Sequence, residues 1–172
     1  MRWFTDAAYS GEVDWDEMLR RYSAHLRQIA SLLPPDLDAL ATEPRLNLHD
    51  AEIREVVIDE ADRVTIVVNA GDLQLGYREL TLDFAGARIV PDNLQALAYA
   101  VGARFETGHW GSTVTVIRAQ EVDVLPDGGF VLRLRLWPFY AFAIEFSGLQ
   151  LTEAPSHGRN GMPGIFRLAT DP

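Results

Sequence analysis

The sequence predicts an α+β domain, in which an N-terminal helical portion packs on an antiparallel sheet built from two related three-strand meanders. Two observations lead to this fold class. Apolar residues recur with a helical period before Pro34, whereas most of the later chain alternates as strands do. In addition, Leu82 to Gly86 and Ile144 to Gly148 share the pattern apolar, acidic, Phe, small, Gly. The shared pattern indicates one β unit used twice.

The helical portion is residues 1–45, and its main helix follows Gly11. An apolar stripe recurs at spacings of four and three residues: Trp15, Leu19, Tyr22, Leu26, Ile29 and Leu33. Asp14 is a fitting N-cap, and Pro34-Pro35 stops the helix. We expect the stripe to pack on the sheet, although a coiled-coil seam has the same spacing. Thr5 predicts a capped turn through Tyr9, and a short second helix is expected over Asp36 to Thr42.

The first meander occupies residues 46–91 and the second residues 113–152. In the first, β-branched and alternating runs predict strands at Ile53–Ile58, Val64–Val68 and Gln74–Phe84, with a break at Asn69–Asp72. In the second, the run to Leu125 changes phase around Ile117 to Glu121, which predicts a bulge or a break. Phe130–Leu136 alternates after a strong turn.

Two further segments complete the single domain. Residues 92–112 form a linker in which Asp92 or Asn93 can cap a short helix ending near Gly102, although a strand is also possible there. Residues 153–172 are predicted as loop and tail, with a last short strand at Ile165–Leu168.

Composition excludes several classes of function. The chain has 172 residues, 48% of them hydrophobic and 23% charged, which is normal for one globular domain. It has no cysteine, which rules out disulfides, thiol nucleophiles and thiolate metal sites. All 15 basic residues are arginine, so a P-loop lysine and a Schiff-base lysine are also ruled out.

Net charge indicates the kind of partner. The charge of −10 has no compensating basic cluster and disfavours nucleic acid and anionic membrane surfaces, but it suits a basic protein. The longest uncharged apolar stretch, Leu136 to Ile144, is interrupted by Pro138 and is far shorter than the roughly 20 residues of a transmembrane helix. The start also lacks the features of a secretory signal. We therefore expect a cytoplasmic protein.

Five residues are candidates for a ligand or partner site: His49, Asp50, His109, Trp110 and Glu121. His49 with Asp50, and His109 with Glu106, each lie just before a meander, so they could converge on a divalent metal. Their spacing matches no metal signature, and the alternative is that Asp50 bonds backbone amides where the chain enters the first strand. His109 and Trp110 lie in a predicted turn, where they could border a ligand-binding site or simply pack within the loop.

Catalytic motifs are absent from the sequence. Glu121 lies near the phase change and could be a buried acid, but it has no partner carboxylate at a defined spacing. No nucleophile elbow, Walker A or dinucleotide fingerprint occurs. We assign no catalytic residue, metal ligand or cofactor. Arg133 and Arg135 share a strand face with Glu145, which predicts a cross-strand ion pair.

Several short motifs resemble an uncharacterised bacterial family of small acidic proteins, a domain of unknown function. They are the opening Met1 to Thr5, the run Leu48 to Ile53, Gln120 to Val122, Asp127-Gly128 and Ile144 to Phe146. The family has a Met-basic-aromatic-Phe-Thr start and a Leu-His-Asp element before a β-rich half, and it is similar to immunity proteins of bacterial toxin systems. The resemblance implies a bacterial cytosolic α+β domain and no catalytic residue.

The function expected from these features is that of a protein-binding or inhibitor module. The absent motifs, the missing cysteine and lysine chemistry and the acidic charge all favour it. The alternative is a small hydrolase or metal-dependent enzyme whose site has no recognisable motif. Open sheet edges and the uncharged stretch after Leu136 also predict a homodimer.

Overall fold

The structure is a computed structural model and describes residues 1–59, 61–104, 114–138, 140–159 and 161–169. It confirms the α+β class. The helices are α1 (Asp6–Tyr9), α2 (Trp15–Ile29), α3 (Pro35–Thr42) and α4 (Leu94–Gly102). Short 3-10 helices follow α2 at Ala30–Leu32 and α3 at Pro44–Leu46.

Side-chain caps begin three of these helices, because the first amides of a helix have no partner within it. The Thr5 hydroxyl accepts from the amide of Ala8, and the Asp14 carboxylate accepts from the amide of Glu17. The Asn93 side chain caps α4 in the same way, so the part of the linker from Leu94 to Gly102 is a helix and not a strand.

The described residues form nine strands. They are β1 (Glu52–Asp59), β2 (Arg63–Asp72), β3 (Gly76–Ala85), β4 (Arg88–Val90), β5 (Ile117–Val124), β6 (Phe130–Leu136), β7 (Tyr140–Phe146), β8 (Gly148–Pro155) and β9 (Ile165–Ala169). One sheet has the order β8-β3-β2-β1-β9 and the other β4-β7-β6-β5. All pairs are antiparallel except β1 with β9, so the larger sheet is mixed.

The two predicted meanders are β1-β2-β3 and β5-β6-β7, and each belongs to a different sheet. The strand that follows each meander belongs to the other sheet. After β3 the chain forms β4, which pairs with β7, and after β7 it forms β8, which pairs with β3. The two points where the chain passes from one sheet to the other are hydrogen-bonded to each other. Ser147 donates to the carbonyl of Ala85 through its amide (2.9 Å) and its hydroxyl (3.0 Å). Phe84 and Phe146 therefore occupy corresponding places, each near the end of the third strand.

The main core lies between the two sheets. Residues alternating along the strands contribute to one continuous buried cluster, including Ile66, Leu82, Leu132 and Ile144. Phe84 and Phe146 meet there edge to face, with ring centroids 4.9 Å apart. The repeated phenylalanine noted in the sequence thus forms a contact between the two copies.

The apolar stripe of α2 was predicted to pack on the sheet, but at its N-terminal end two of its residues are more than a third exposed. Trp15 is 40% exposed and Leu19 38% exposed. The buried face of α2 is Met18, Tyr22 and Ile29, and Met18 and Tyr22 pack with Phe4, Ala8 and Ala119 in a second small core. The helix lies on β5 of the smaller sheet, and Tyr22 and Ile29 are the residues of the predicted stripe that are buried.

Within the described ranges, none of the helices has both the length and the apolar content needed to cross a membrane.

Candidate functional site

The chain enters β1 through a turn at His49 and Asp50 that is tied to β5. The amide of Asp50 donates to the carbonyl of Ile117 (2.7 Å), and the amide of Leu48 donates to the side chain of Gln120 (3.0 Å). Asp50 has a φ of 61°, a left-handed conformation that aspartate adopts more readily than most residues. The turn leaves His49 exposed and Asp50 half-buried.

Asp50 is held by Arg118 and His49. Arg118 donates to one carboxylate oxygen (3.1 Å), and Nδ1 of His49 lies 3.3 Å from the other. Asn47 takes the capping role expected of Asp50, since its side chain accepts from the amide of His49 (2.8 Å). The guanidinium of Arg118 also lies 5.6 Å from the ring centre of Trp137. Asp50 therefore positions an arginine beside an aromatic ring.

His49 and Asp50 line a cleft of about 240 Å³ together with Pro44, Asn47, Gly71, Asp72, Leu75 and Arg159. Asp72 is committed to the hairpin, because the amides of Leu75 and Gln74 donate to its carboxylate and hold its pKa below the usual value. In the described part of the chain, two of the five predicted site residues line this cleft. Its volume is below the roughly 300 to 1,000 Å³ of typical ligand pockets.

Glu121 is fully buried, as the sequence suggested, but its carboxylate is engaged in structural hydrogen bonds. Its Oε1 accepts from the amides of Trp3 and Phe4, and its Oε2 accepts from the amide of Arg2, each at 2.7 Å. Arg133 lies 3.9 Å from Oε2. Glu121 thus anchors residues 1–10, which we call the N-terminal arm, and does not line the cleft of His49 and Asp50.

Asp123 lies on the same face of β5 and extends this network. Its carboxylate accepts from His25 (3.0 Å), Arg2 (3.3 Å) and Arg133 (3.4 Å). Burial alone would raise the pKa of Asp123, but the amide of Val124 and these cationic or donor groups outweigh it and keep the pKa below its ordinary value. The ionised Asp123 side chain therefore joins the arm, α2 and β6 through hydrogen bonds and ion pairs.

The ion pairs predicted for Arg133 and Arg135 with Glu145 are wrong. Arg133 pairs with Asp123, and Arg135 pairs with Asp6 on the arm. Glu145 accepts instead from Arg88 of the crossing strand β4 (2.7 Å). Register alone did not reveal these partners, because the arm and β4 come from outside the meander.

His109 and Trp110, together with Glu106, lie outside the described residues, and their convergence with His49 and Asp50 stays a prediction. In the described parts of the chain, no group of three or more histidine, aspartate or glutamate side chains is arranged to hold a metal ion.

An exposed apolar surface lies beside the arm, and sequence reasoning missed it. It consists of Tyr9, Val13, Trp15 and Leu19, which we call the N-terminal surface; each is more than a third exposed. Tyr9 and Trp15 contact each other edge to face (5.4 Å between ring centroids), and Trp15 also contacts Phe4 (5.8 Å). These contacts fix the orientation of the Trp15 ring.

Tyr9 joins this surface to the Asp50 turn. Its hydroxyl donates to the carbonyl of Arg118 (3.1 Å), and the guanidinium of Arg135 lies 4.7 Å from its ring centre. Burial raises the pKa of Tyr9 above its usual value, against the opposing charges of Arg135 and Arg118. Tyrosine, tryptophan and arginine are the residues most enriched at binding hot spots.

Carboxylates surround the N-terminal surface. From Asp6 to Glu17 the chain has five acidic residues and no basic one. Arg135 pairs with Asp6, and Arg20 and Arg21 pair with Glu17. The remaining three, Glu12, Asp14 and Asp16, are exposed and form no ion pair with any residue in the described ranges. An acidic run that contains aromatic residues was the available sequence signal.

Comparisons with known proteins give no relative: no protein-family model, no curated protein and no solved structure matches this chain.

Proposed function

We propose that this protein is a binding module that masks a basic protein partner, in the manner of a bacterial immunity protein acting in the cytosol. The observation that carries the proposal is that the exposed carboxylates Glu12, Asp14 and Asp16 around the N-terminal surface have no ion-pair partner among the described residues. They belong to a chain with a net charge of −10. Such a surface raises the association rate with a cationic partner and disfavours acidic competitors.

The enzyme alternative receives less support from the same geometry. Glu121, the buried acid among the candidates, has its two oxygens occupied by three backbone amides. Asp50 is paired with Arg118 at the mouth of a small cleft. A general acid or base needs a free lone pair or proton within reach of a substrate, which neither arrangement favours.

The experiment is affinity purification of the tagged protein from its source organism at low salt, with mass spectrometry and metal analysis of the same sample. We expect a stoichiometric partner with an excess of lysine and arginine, released as salt is raised because exposed charges are screened. Stoichiometric zinc or manganese with no protein partner would refute the proposal.

A matched pair of variants tests the electrostatic part. Glu12→Gln with Asp16→Asn removes two charges from the N-terminal surface and leaves the Asp14 cap intact. Glu79→Gln with Asp92→Asn removes two exposed charges elsewhere. We expect the first pair to slow association and reduce its salt dependence, and the second to change both less. Equal effects would mean that net charge alone is responsible.

A further inference from the structure

The structure leaves the N-terminal half of an amphipathic helix face without a covering element in the described residues. Trp15 and Leu19 are one helical turn apart on α2 and share a face, because residues four apart in a helix are neighbours. The later stripe residues Tyr22 and Ile29 are buried by the protein's own core. The exposed residues thus continue a buried seam into solvent.

This surface has the form of a helix-docking site. Tyr9 and Val13 add apolar area beside Trp15, and the Tyr9 and Trp15 rings hold each other in place. Side chains at i and i+4 form the ridge that another helix packs against. A rigid aromatic ring loses little conformational freedom on binding, which favours it as an anchor.

We propose that the N-terminal surface binds an amphipathic helical segment of a partner protein, with leucine-like side chains against Trp15 and Leu19 and arginine or lysine opposite Glu12 and Asp16. The argument for this occupant is charge complementarity: the apolar residues are bordered by carboxylates that no described cation neutralises. The inference rests on the proposed function and adds the contact surface and the chemistry of the partner.

The test uses the whole protein labelled with ¹⁵N and three synthetic peptides of about four helical turns. The first has leucine on one face and arginine elsewhere, the second replaces arginine with glutamate, and the third replaces leucine with serine. The indole N–H signal of Trp15 reports the surface. That of Trp3, which packs on Tyr22 and His25, reports whether the arm stays docked.

We expect only the arginine and leucine peptide to shift the Trp15 signal saturably. Backbone amide signals of α2 in the labelled protein give the affinity of each variant, because Trp15→Ala lacks the indole reporter. Trp15→Ala should weaken binding about 30-fold and Leu19→Ala about 10-fold, typical of truncated hot-spot side chains. Leu32→Ala removes a more exposed leucine outside the surface (59% exposed, against 38% for Leu19) and should leave the affinity unchanged. An unshifted Trp3 signal in each variant confirms that the fold is intact.

Four results would overturn the inference: no binding, equal binding of the serine peptide, a shift of the Trp137 indole in place of Trp15, or a concentration-dependent Trp15 shift without peptide. The last would mean that a second copy of this chain covers the surface. A partner isolated from the source organism whose binding survives both Trp15→Ala and Leu19→Ala would remove this surface and leave the proposed function standing.

Discussion

Replacing Glu121 with alanine tests whether one buried carboxylate holds the N-terminal arm on the sheet. The change removes three hydrogen bonds of 2.7 Å from backbone amides. A bond to a charged group contributes about 1.5 to 3 kcal/mol, so the three together would contribute about 4.5 to 9 kcal/mol if the amides stayed buried without a partner. The arm can instead detach and give its amides to water. The loss is then limited to the free energy of docking the arm.

That limit follows from what the arm buries. Its buried apolar side chains are Phe4 and Ala8, worth about 3 kcal/mol together at the usual value for buried area. For a chain of 172 residues, 3 kcal/mol lowers the melting temperature by about 6 to 12 °C. Glu121→Gln keeps the shape, but its amide group would face one N–H donor, so we expect about 2 kcal/mol.

Hydrogen exchange followed by NMR distinguishes detachment from global unfolding. In Glu121→Ala, the amides of Trp3 and Phe4 should lose protection, while those of β2 and β6 keep most of theirs, because the arm opens as a local unit. Urea unfolding gives the free energies, and Glu79→Ala on the exposed sheet face serves as control. Unchanged protection of Phe4 would refute the anchoring role. A uniform loss across the sheets would refute the independent arm.

Further predictions concern the core and the charges beneath the arm. Tyr22→Phe removes the hydroxyl that accepts from the buried amide of Val122 (2.8 Å), and it should lower the free energy of unfolding in urea by about 1 to 3 kcal/mol. Burial raises the pKa of Tyr22, so its hydroxyl stays protonated under the test conditions. The pKa of Asp123 in the folded protein is lowered from 3.8, so the ionised carboxylate stabilises the fold above that pH, and this stabilisation is lost as the pH falls through the folded-state pKa. Asp123→Asn should therefore make the free energy of unfolding depend less on pH in this acid range. An unchanged pH profile would contradict the prediction. Alanine substitutions at Phe84 and Phe146 should each cost about 3 to 5 kcal/mol, with a coupling of about 0.5 to 1.5 kcal/mol in a double-mutant cycle, and strict additivity would rule out the ring contact. Light scattering should give twice the monomer mass of 19.2 kDa at high concentration, and the monomer mass throughout would end the homodimer prediction.

Local sequence patterns predicted much of the fold. The caps at Thr5 and Asp14 and the phase change after Ile117 were readable, because each depends on neighbours a few residues away. The break predicted at Asn69–Asp72 is wrong, since β2 continues to Asp72. Polar residues there suggested a turn, but pairing with β3 continues through Asp72 and keeps the segment extended, while β1 pairs with it only at Asn69.

The candidate site was less predictable, because it depends on contacts between distant segments. Glu121 was identified as buried, but its partners are amides of the first four residues, which no spacing rule relates to it. Trp15 and Leu19 were assigned to the core because periodicity identifies an apolar face and not what covers it. An apolar helix face left exposed looks the same in a sequence as a buried one.

The crossing of β4 and β8 has a consequence for how the chain folds. Neither meander can complete its sheet from its own half, because β8 and β9 of the larger sheet and β4 of the smaller sheet come from the other half. A fragment ending between the halves would carry β4 without its partner β7 and would leave the edge of β3 unpaired. We expect such fragments to be poorly folded alone and to reassemble when mixed, since each supplies the strand that the other lacks. Loss of structure in one half should then propagate to the other, making unfolding of the two sheets a single cooperative event.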